Sequence, residues 1–392
     1  MTSPAKHRPA IVGLGMTEIG KVYGLGTPQF AAQAVRLAVA DAGLSLSDLD
    51  GLLVAPGVAG GVGVDLQRDL NLRNLSLVAG ISTWGTSMSV MIQLACMAIQ
   101  TGQANAIACV FSDAPLKEQN RSSGDSFTGA RTPAPGWRGI LEATGIVGGN
   151  PLMAMNARRH MLTYGTTSEQ FGHVAVAQRE WALRNPAAQM KKPITLADHQ
   201  TSRWVVEPFH LLDCCLVSNG GVAVVITSGG RAEDLRQPPV YVAGWGQCNP
   251  GYFDRHDDNF GLVSGATKSG PAAMAMAGIS IGDIDVVEFY DCYTYTVVVT
   301  LEDYGFCKKG EGGEFVSSGV LGPNGSFPLN TGGGQLSSFY LQGATPVSEG
   351  IIQVRGHGGD RQADRHDVVL VSNNGGSLDH HTSLVLTSAT AA

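Results

Sequence analysis

The residues able to do chemistry in this chain fall into a few short stretches. They are Tyr290-Asp291-Cys292-Tyr293, then Tyr340 beyond the run Asn330-Thr331-Gly332-Gly333-Gly334, the hydroxyls of Thr86 and Ser87, and the cluster Asp379-His380-His381. Seven cysteines, Cys96, Cys109, Cys214, Cys215, Cys248, Cys292 and Cys307, complete the inventory. A phenol ionises near pH 10, so a neutral tyrosine is a good hydrogen-bond donor, and beside a second polar group it can serve as acid or base. The glycine run ahead of Tyr340 suits close approach of a substrate to the backbone. Beside Tyr290, Asp291 reads as a carboxylate that fixes its loop, and Cys292 as a small buried residue, because nothing near it in sequence would activate its thiol. Tyr293 and Tyr295 alternate in register, so only one of the two sets of tyrosines can face a pocket. Adjacent histidines in an extended segment point to opposite sides, so only one of His380 and His381 can face a site, as an acid or base; a strand-edge role is equally open. The same geometry argues against both ligating one metal, and no CxxC-type spacing offers zinc a site. Thr86 or Ser87 as a nucleophile would need a histidine from elsewhere in the chain, and there is no GxSxG elbow. Gly13, Gly15 and Gly20 give GxGxxxxG, which misses the GxGxxG spacing of a dinucleotide fingerprint.

The elements that must position these groups belong to a large α/β body. A length of 392 residues allows two to three domains or one intertwined unit. Charged residues make up 15% and hydrophobic ones 43%, which excludes disorder, and no apolar run approaches the roughly 18–20 residues of a membrane span. Net charge is −7 and no basic block exceeds Lys191-Lys192, which argues against a nucleic-acid partner. The start MTSPAKHRPAIVG lacks the apolar core of a signal peptide, and with an odd number of cysteines it leads us to expect reduced thiols in a cytoplasmic enzyme.

Pro9 to Gly15, Leu49 to Ala55 and Asn105 to Ser112 read as strands, separated by helical patterns over Thr27 to Ala42 and Met88 to Gln100. This βαβαβ order predicts a mainly parallel sheet. Residues 113–210 interrupt the alternation as an insertion, in which Thr167-Ser168-Glu169-Gln170 reads as a capping box opening a helix with Phe171, Val174, Ala175 and Ala182 on one face. His173 in that helix and His357 after a later one read as structural or surface residues. After the Gly- and Pro-containing tract Ser228 to Pro239 the outline repeats. Strands are expected at Val240 to Trp245 and Ile284 to Phe289, helices at Gly265 to Met276, Thr296 to Tyr304 and Leu341 to Gly356, and closing strands at Asp367 to Val371 and Thr382 to Thr387. Ser47-Asp48-Leu49-Asp50-Gly51-Leu52-Leu53-Val54 parallels Gly282-Asp283-Ile284-Asp285-Val286-Val287-Glu288-Phe289, which suggests an internal duplication with halves at 1–235 and 236–392.

Several motifs resemble the thiolase superfamily, in particular its sterol-carrier-type branch. Leu212-Asp213-Cys214-Cys215 with Ser218-Asn219-Gly220 is similar to that branch's CC…SDGAAA segment, and Ser168 to Gln189, with its Arg-Asn-Pro-x-Ala ending, to its insertion helix. Tyr290-Asp291-Cys292-Tyr293 stands where those enzymes have His-Asp-Cys-Phe, and Asn330 to Gly334 with Phe339-Tyr340 stands where they carry Asn-x-Gly-Gly and then Gly-His-Pro. The resemblance implies an α/β thiolase fold, duplicated βαβαβαββ halves making a five-layer αβαβα body. The departures also matter. The nucleophile's region reads Ile81-Ser82-Thr83-Trp84-Gly85-Thr86-Ser87-Met88, with Trp84 as the counterpart of the cysteine. Both histidines are replaced by tyrosines, and Val371-Ser372-Asn373-Asn374-Gly375-Gly376 has asparagines where a condensing thiolase places its second cysteine. Acyl transfer through cysteine is therefore not expected.

This pattern resembles the thiolase-like aldolases that shorten steroid side chains. The resemblance implies retro-aldol cleavage of a β-hydroxyacyl-CoA with a tertiary 17-hydroxyl, giving a 17-ketosteroid and propionyl-CoA or another short acyl-CoA. Coenzyme A enters as part of the substrate, and no bound cofactor or metal is implied. Tyr290 and Tyr340 would be acid and base in either order, with Asp291 and His380 beside them. Trp84, Thr86, Asn330, Gly333, Asn374, Gly375 and Gly376 would face the substrate and its CoA. It further implies a homodimeric core and a small partner of OB-fold and zinc-ribbon type, together a heterotetramer. Two other readings remain open from sequence: an inactive acyl-CoA- or lipid-binding scaffold, and an acyltransferase with a relocated nucleophile. The acyl pocket is expected to draw on insertion loops such as Ser122 to Gly136.

Overall fold

The computed structural model describes residues 8–119, 136–250 and 259–388, so most of the 122–136 loop lies outside the described residues. Its strands are β1 (Pro9–Met16), β2 (Gly51–Pro56), β3 (Leu77–Gly80), β4 (Ala106–Asp113), β5 (Trp204–Val206), β6 (Phe209–His210), β7 (Gly220–Ser228), β8 (Val240–Cys248), β9 (Val286–Phe289), β10 (Val368–Gly375) and β11 (His380–Thr387). The helices that matter for the site are α1 (Thr27–Ala42), α2 (Ser87–Gln100), α3 (Gly149–Tyr164), α4 (Ser168–Leu183), α5 (Ala266–Ala277), α6 (Thr294–Tyr304) and α7 (Ala344–Val354).

The repeated phrase in the sequence is a repeated device in the fold. The Ser45 N–H donates to Asp48 Oδ2 at 2.8 Å around a 3₁₀ turn that launches β2, and the Ser280 N–H donates to Asp283 Oδ2 at 2.8 Å around the turn before β9. The next aspartate in each phrase then ties down the neighbouring strand. Asp50 Oδ1 accepts from Asn105 N and Ala106 N at 2.8 Å, and Asp285 Oδ2 accepts from Val368 N at 3.0 Å.

Nine of the strands form a continuous sheet in the order β3-β2-β4-β7-β1-β8-β11-β10-β9, the two halves meeting where β1 and β8 pair over Ala10–Tyr241 and Ile11–Val240, and β5 and β6 pair with each other as a separate two-stranded sheet. Only β2–β3, β2–β4 and β9–β10 are parallel; β4–β7, β1–β7, β1–β8, β8–β11 and β10–β11 are antiparallel. The sheet is mixed, not mainly parallel as the βαβαβ order suggests, because β1, β7, β8 and β11 run up and down beside one another between the parallel edges.

Strand alternation divides the core into layers. Leu53 and Ala55 of β2, Val369 and Val371 of β10 and Leu384 and Leu386 of β11 share one cluster with residues of α2 and α7, which form the central layer. Leu52 and Val54 face α1 on one outer side, while Leu370 and Val385 face α5 and α6 on the other. This is an αβαβα body. Gly13 and Gly15, which hint at a nucleotide loop, are packing glycines: a Cβ at either would lie 2.1 Å from a carbonyl oxygen of α1, that of Ala38 or Ala34. In the insertion the capping box forms as expected, with the Gln170 N–H donating to Thr167 Oγ1 at 3.2 Å and the Thr167 N–H to Gln170 Oε1 at 3.0 Å. No helix among the described residues is long and apolar enough to cross a membrane.

Candidate active site

Tyr290 leaves the end of β9 and is locked by its own backbone. Its N–H donates to the Ser372 carbonyl at 2.8 Å, and its carbonyl accepts from Asn374 Nδ2 and Thr296 Oγ1, both at 3.2 Å. Tyr340 follows the π-turn Gly334–Ser338 and an extended Phe339. The two hydroxyls, 50 residues apart in sequence, lie 3.0 Å apart, with the rings edge to face at 73°. Burial, the largest cause for each, pushes both phenols well above their ordinary value. Both are therefore neutral across the physiological range, one donating to the other.

Tyr293 belongs to the same apolar cluster as Tyr290. Its ring stacks on Phe209 at 4.9 Å, and its hydroxyl donates to Asn150 Oδ1 at the start of α3. Tyr295 points elsewhere, its hydroxyl donating to the Gly261 carbonyl at 2.6 Å. Alternation along Tyr293-Thr294-Tyr295 was the available signal, but which tyrosine faced the pair depended on the insertion.

Asp291 is a clip between the two tyrosine loops. Fully buried, its carboxylate accepts from Gln335 N at 2.8 and 3.0 Å and from Leu336 N at 3.2 Å, so the residue after Tyr290 holds the turn before Tyr340. Burial raises its pKa to about 7 against the pull of those backbone donors. Both of its oxygens accept from backbone N–H groups, as a carboxylate that fixes its loop would. Asp291→Ala leaves two buried N–H groups unpaired and is expected to cost about 2–5 kcal/mol of stability, read as a lowered denaturant midpoint.

The turn before α2 carries Trp84, Gly85 and Thr86, with Ser87 opening the helix. Trp84 has a left-handed backbone, φ 56°, and an indole 43% exposed. The hydroxyls of Thr86 and Ser87 are taken, whereas Thr83 Oγ1 is buried without a partner. Thr86 Oγ1 donates to the Thr83 carbonyl at 2.6 Å, and Ser87 Oγ donates to the Trp84 carbonyl at 2.8 Å while accepting from Thr83 N at 2.9 Å. Thr86 is also fully buried, so it shapes the turn and does not present its hydroxyl to a substrate. Burial likewise pushes the thiols of Cys215 and Cys292 well up, and those of Cys214 and Cys307 to about 12, so none is poised as a thiolate.

The structure separates the remaining sequence candidates. Gly375 packs beside the turn, where a Cβ would lie 3.0 Å from Trp84 Cβ, and Asn374 secures Tyr290 from the same strand end. Gly376, φ 66°, makes the turn between β10 and β11 against Asp379. Gly333 lies away from the pair: a Cβ there would meet Ala182 of α4 at 2.5 Å, and its N–H donates to the Asn330 carbonyl at 2.7 Å. Asn330, buried at φ 52°, accepts from Phe289 N at 2.6 Å and so acts as a loop brace. The glycines before Tyr340 pack closely within the loop: a Cβ on Gly332 would lie 2.7 Å from Glu349 Oε2 and one on Gly334 2.2 Å from Asp291 Oδ2. On β11, His381 is buried and bonded to Ser372 Oγ at 2.8 Å, with burial lowering its pKa to about 3. By alternation, His380 shares the opposite face with Leu384 and Leu386, and its Nδ1 lies 2.9 Å from Asn249 Oδ1. It does not touch the tyrosine pair. Among the described residues no group of three or more His, Cys, Asp or Glu is placed to hold a metal ion.

Two sandwiched halves, with the Tyr290 and Tyr340 loops meeting between them, define a thiolase-fold protein. Residues 252–388 match the thiolase C-terminal domain-like family. The chain is 36% identical over 383 residues to the steroid side-chain-cleaving aldolase of Thermomonospora curvata, covering 93% of this chain and 95% of that one. It is 34% identical to the 17-hydroxy-3-oxo-4-pregnene-20-carboxyl-CoA lyase of Mycobacterium tuberculosis, covering 93% and 96%. The solved Ltp2-ChsH2(DUF35) aldolase superposes with a TM-score of 0.86 at 34% identity, over 98% of this chain and 99% of that one. Human mitochondrial 3-ketoacyl-CoA thiolase, 15% identical with a TM-score of 0.70, shares the fold. The chain belongs to the thiolase superfamily, on the branch of the steroid side-chain-cleaving aldolases.

Proposed function

We propose that this protein is a carbon–carbon lyase: a retro-aldolase that cleaves a steroid β-hydroxyacyl-CoA bearing a tertiary 17-hydroxyl into a 17-ketosteroid and propionyl-CoA. The observation that carries this is the contact of the Tyr290 and Tyr340 hydroxyls at 3.0 Å, and the resemblance that sets Trp84 against the thiolase cysteine is in keeping with it. Similarity to a steroid side-chain-cleaving aldolase and to a 17-hydroxy-3-oxo-4-pregnene-20-carboxyl-CoA lyase supports the substrate class.

Because both phenols are neutral, the chemistry is a relay. In one concerted shift a tyrosine oxygen accepts the β-hydroxyl proton as its own proton passes to the other tyrosine, which releases its own proton in the same motion, so neither phenol becomes charged. The bond between the α and β carbons breaks, the β carbon becomes the ketone, and the electron pair stays on the α carbon as a thioester enolate. The second tyrosine delivers its proton to that α carbon. The substrate's hydroxyl proton is thus replaced by a C–H bond, both tyrosines end neutral, and no acyl-enzyme forms. Tyr290 and Tyr340 are the groups placed to touch the reacting atoms; Asp291, Asn330 and Asn374 hold their loops.

The relay predicts a kcat that is level from about pH 8 to 9, since phenols raised above their ordinary value near 10 do not ionise there, and that falls below about pH 7 as the Asp291 carboxylate holding the turn takes up a proton. If a tyrosinate were the base, the rate would climb with pH across that range. Stopped assays of propionyl-CoA release over the range separate the two.

The same reading makes the protein cytoplasmic, with a homodimeric core and a small OB-fold, zinc-ribbon-type partner completing a heterotetramer. That the similar solved aldolase is a two-protein assembly by its description supports a partner. Co-expression followed by size-exclusion chromatography should give co-elution; separate peaks would count against it.

A further inference from the structure

The loop that carries Tyr340 cannot hold itself. A single π-turn satisfies few of its own peptide groups, and buried peptide groups must find partners somewhere. Here they find them on the insertion of the first half. The Gln189 N–H donates to the Ser338 carbonyl at 2.9 Å and the Met190 N–H to the Ser337 carbonyl at 3.1 Å, as if a short strand ran beside the turn. Side chains from α4 and the segment after it complete the grip. Arg179 Nε donates to Ser337 Oγ at 2.9 Å, and Asn185 Nδ2 donates to the Gly332 carbonyl at 2.9 Å and to Ser338 Oγ at 3.2 Å. Finally Ser218 Oγ, fully buried, accepts from Gln189 Nε2 at 2.6 Å and from the Tyr340 N–H at 2.9 Å, so one hydroxyl joins the insertion directly to the tyrosine's own amide.

We propose that Arg179, Asn185 and Gln189 form a clamp that positions Tyr340 against Tyr290, so that the insertion of one half sets the reacting geometry of the other. These three are positioning residues: none reaches the phenol pair, and each acts through the turn or through Ser218. The close packing of Gly333 on Ala182 belongs to the same seam. Asp291 grips the turn from the Tyr290 side, so the turn is held between two walls and the hydroxyl contact is their sum. A shift of about 1 Å in a reacting group can cost about a hundredfold in rate, whereas the clamp residues contribute nothing to substrate contact. Loosening them should therefore reach kcat and spare KM.

The proposal rests on the tyrosine chemistry above, and its test separates the two. In the full chain with its partner, 3-fluorotyrosine is placed at position 340 and its fluorine resonance followed in Asn185→Ala and Gln189→Ala, alongside steady-state kinetics. The expected result is a shifted or broadened resonance, kcat lowered about 10- to 100-fold, and KM within about twofold. Gln189→Ala combined with Tyr340→Phe should be no slower than Tyr340→Phe alone, as sites that act through one group are not additive. An unmoved resonance, a change confined to KM, or the same loss in both backgrounds would overturn the clamp. A moved resonance in a protein whose turnover ignores Tyr340→Phe would keep the clamp and remove the tyrosine from the chemistry.

Discussion

Tyr290→Phe and Tyr340→Phe should each lower kcat by about 10²–10⁴-fold, the range of a lost general acid or base, with folding and assembly intact. Each change removes one hydroxyl from a pair 3.0 Å apart and leaves the ring in its cluster, so neither creates a cavity. The loss follows from the relay: with one oxygen gone, the proton from the β-hydroxyl has no continuous route to the α carbon. The double variant should be little worse than either single one, because the two hydroxyls act as a unit. Full turnover in one single variant would remove that tyrosine from the mechanism.

The second large effect is expected at Gly85, which touches none of the reacting atoms. A methyl group there would lie 2.1 Å from the Asn374 carbonyl oxygen and 2.5 Å from the Tyr290 ring, while the Gly85 carbonyl sits where a Cβ on Gly343 would be, 2.2 Å away. The residue is wedged between the end of β10, the Tyr290 ring and the start of α7, and backbone on both sides leaves it no room to yield. Gly85→Ala is expected to destabilise the fold by about 1–3 kcal/mol, as overpacking does. Displacing the phenol should also take kcat down about a hundredfold or more. A thermal melt and a turnover assay on the same preparation check both, and wild-type activity with a lowered melting temperature would show that the Tyr290 ring has not moved.

The parts of this site that were legible in the sequence were those carried by short local motifs. Tyr290 and Tyr340 each sit in a recognisable stretch, and their meeting followed from placing those stretches on a duplicated fold. The repeated Asp48 and Asp283 turns were legible for the same reason, since each carboxylate accepts from a serine N–H only three residues before it. What was not legible depended on partners far away in the chain. A glycine run reads the same whether a ligand or a helix approaches it, so the packing of Gly333 on α4, some 150 residues earlier, had no local signal. His380 looked catalytic from its neighbours, but register on β11 turns it toward Asn249. The mixed sheet was missed because βαβ order says nothing of which strands return antiparallel between the parallel edges.

The central claim, cleavage by a phenol pair without an acyl-enzyme, is tested most directly by incubating the complex with a 17-hydroxysteroid β-hydroxyacyl-CoA and following small molecules and protein together by mass spectrometry. The account predicts propionyl-CoA and 17-ketosteroid in equal amounts over many turnovers, with the protein mass unchanged throughout. Tight binding without products would mark the protein as an acyl-CoA-binding scaffold, and an added acyl mass on the chain would mark it as a transferase; either would contradict the claim.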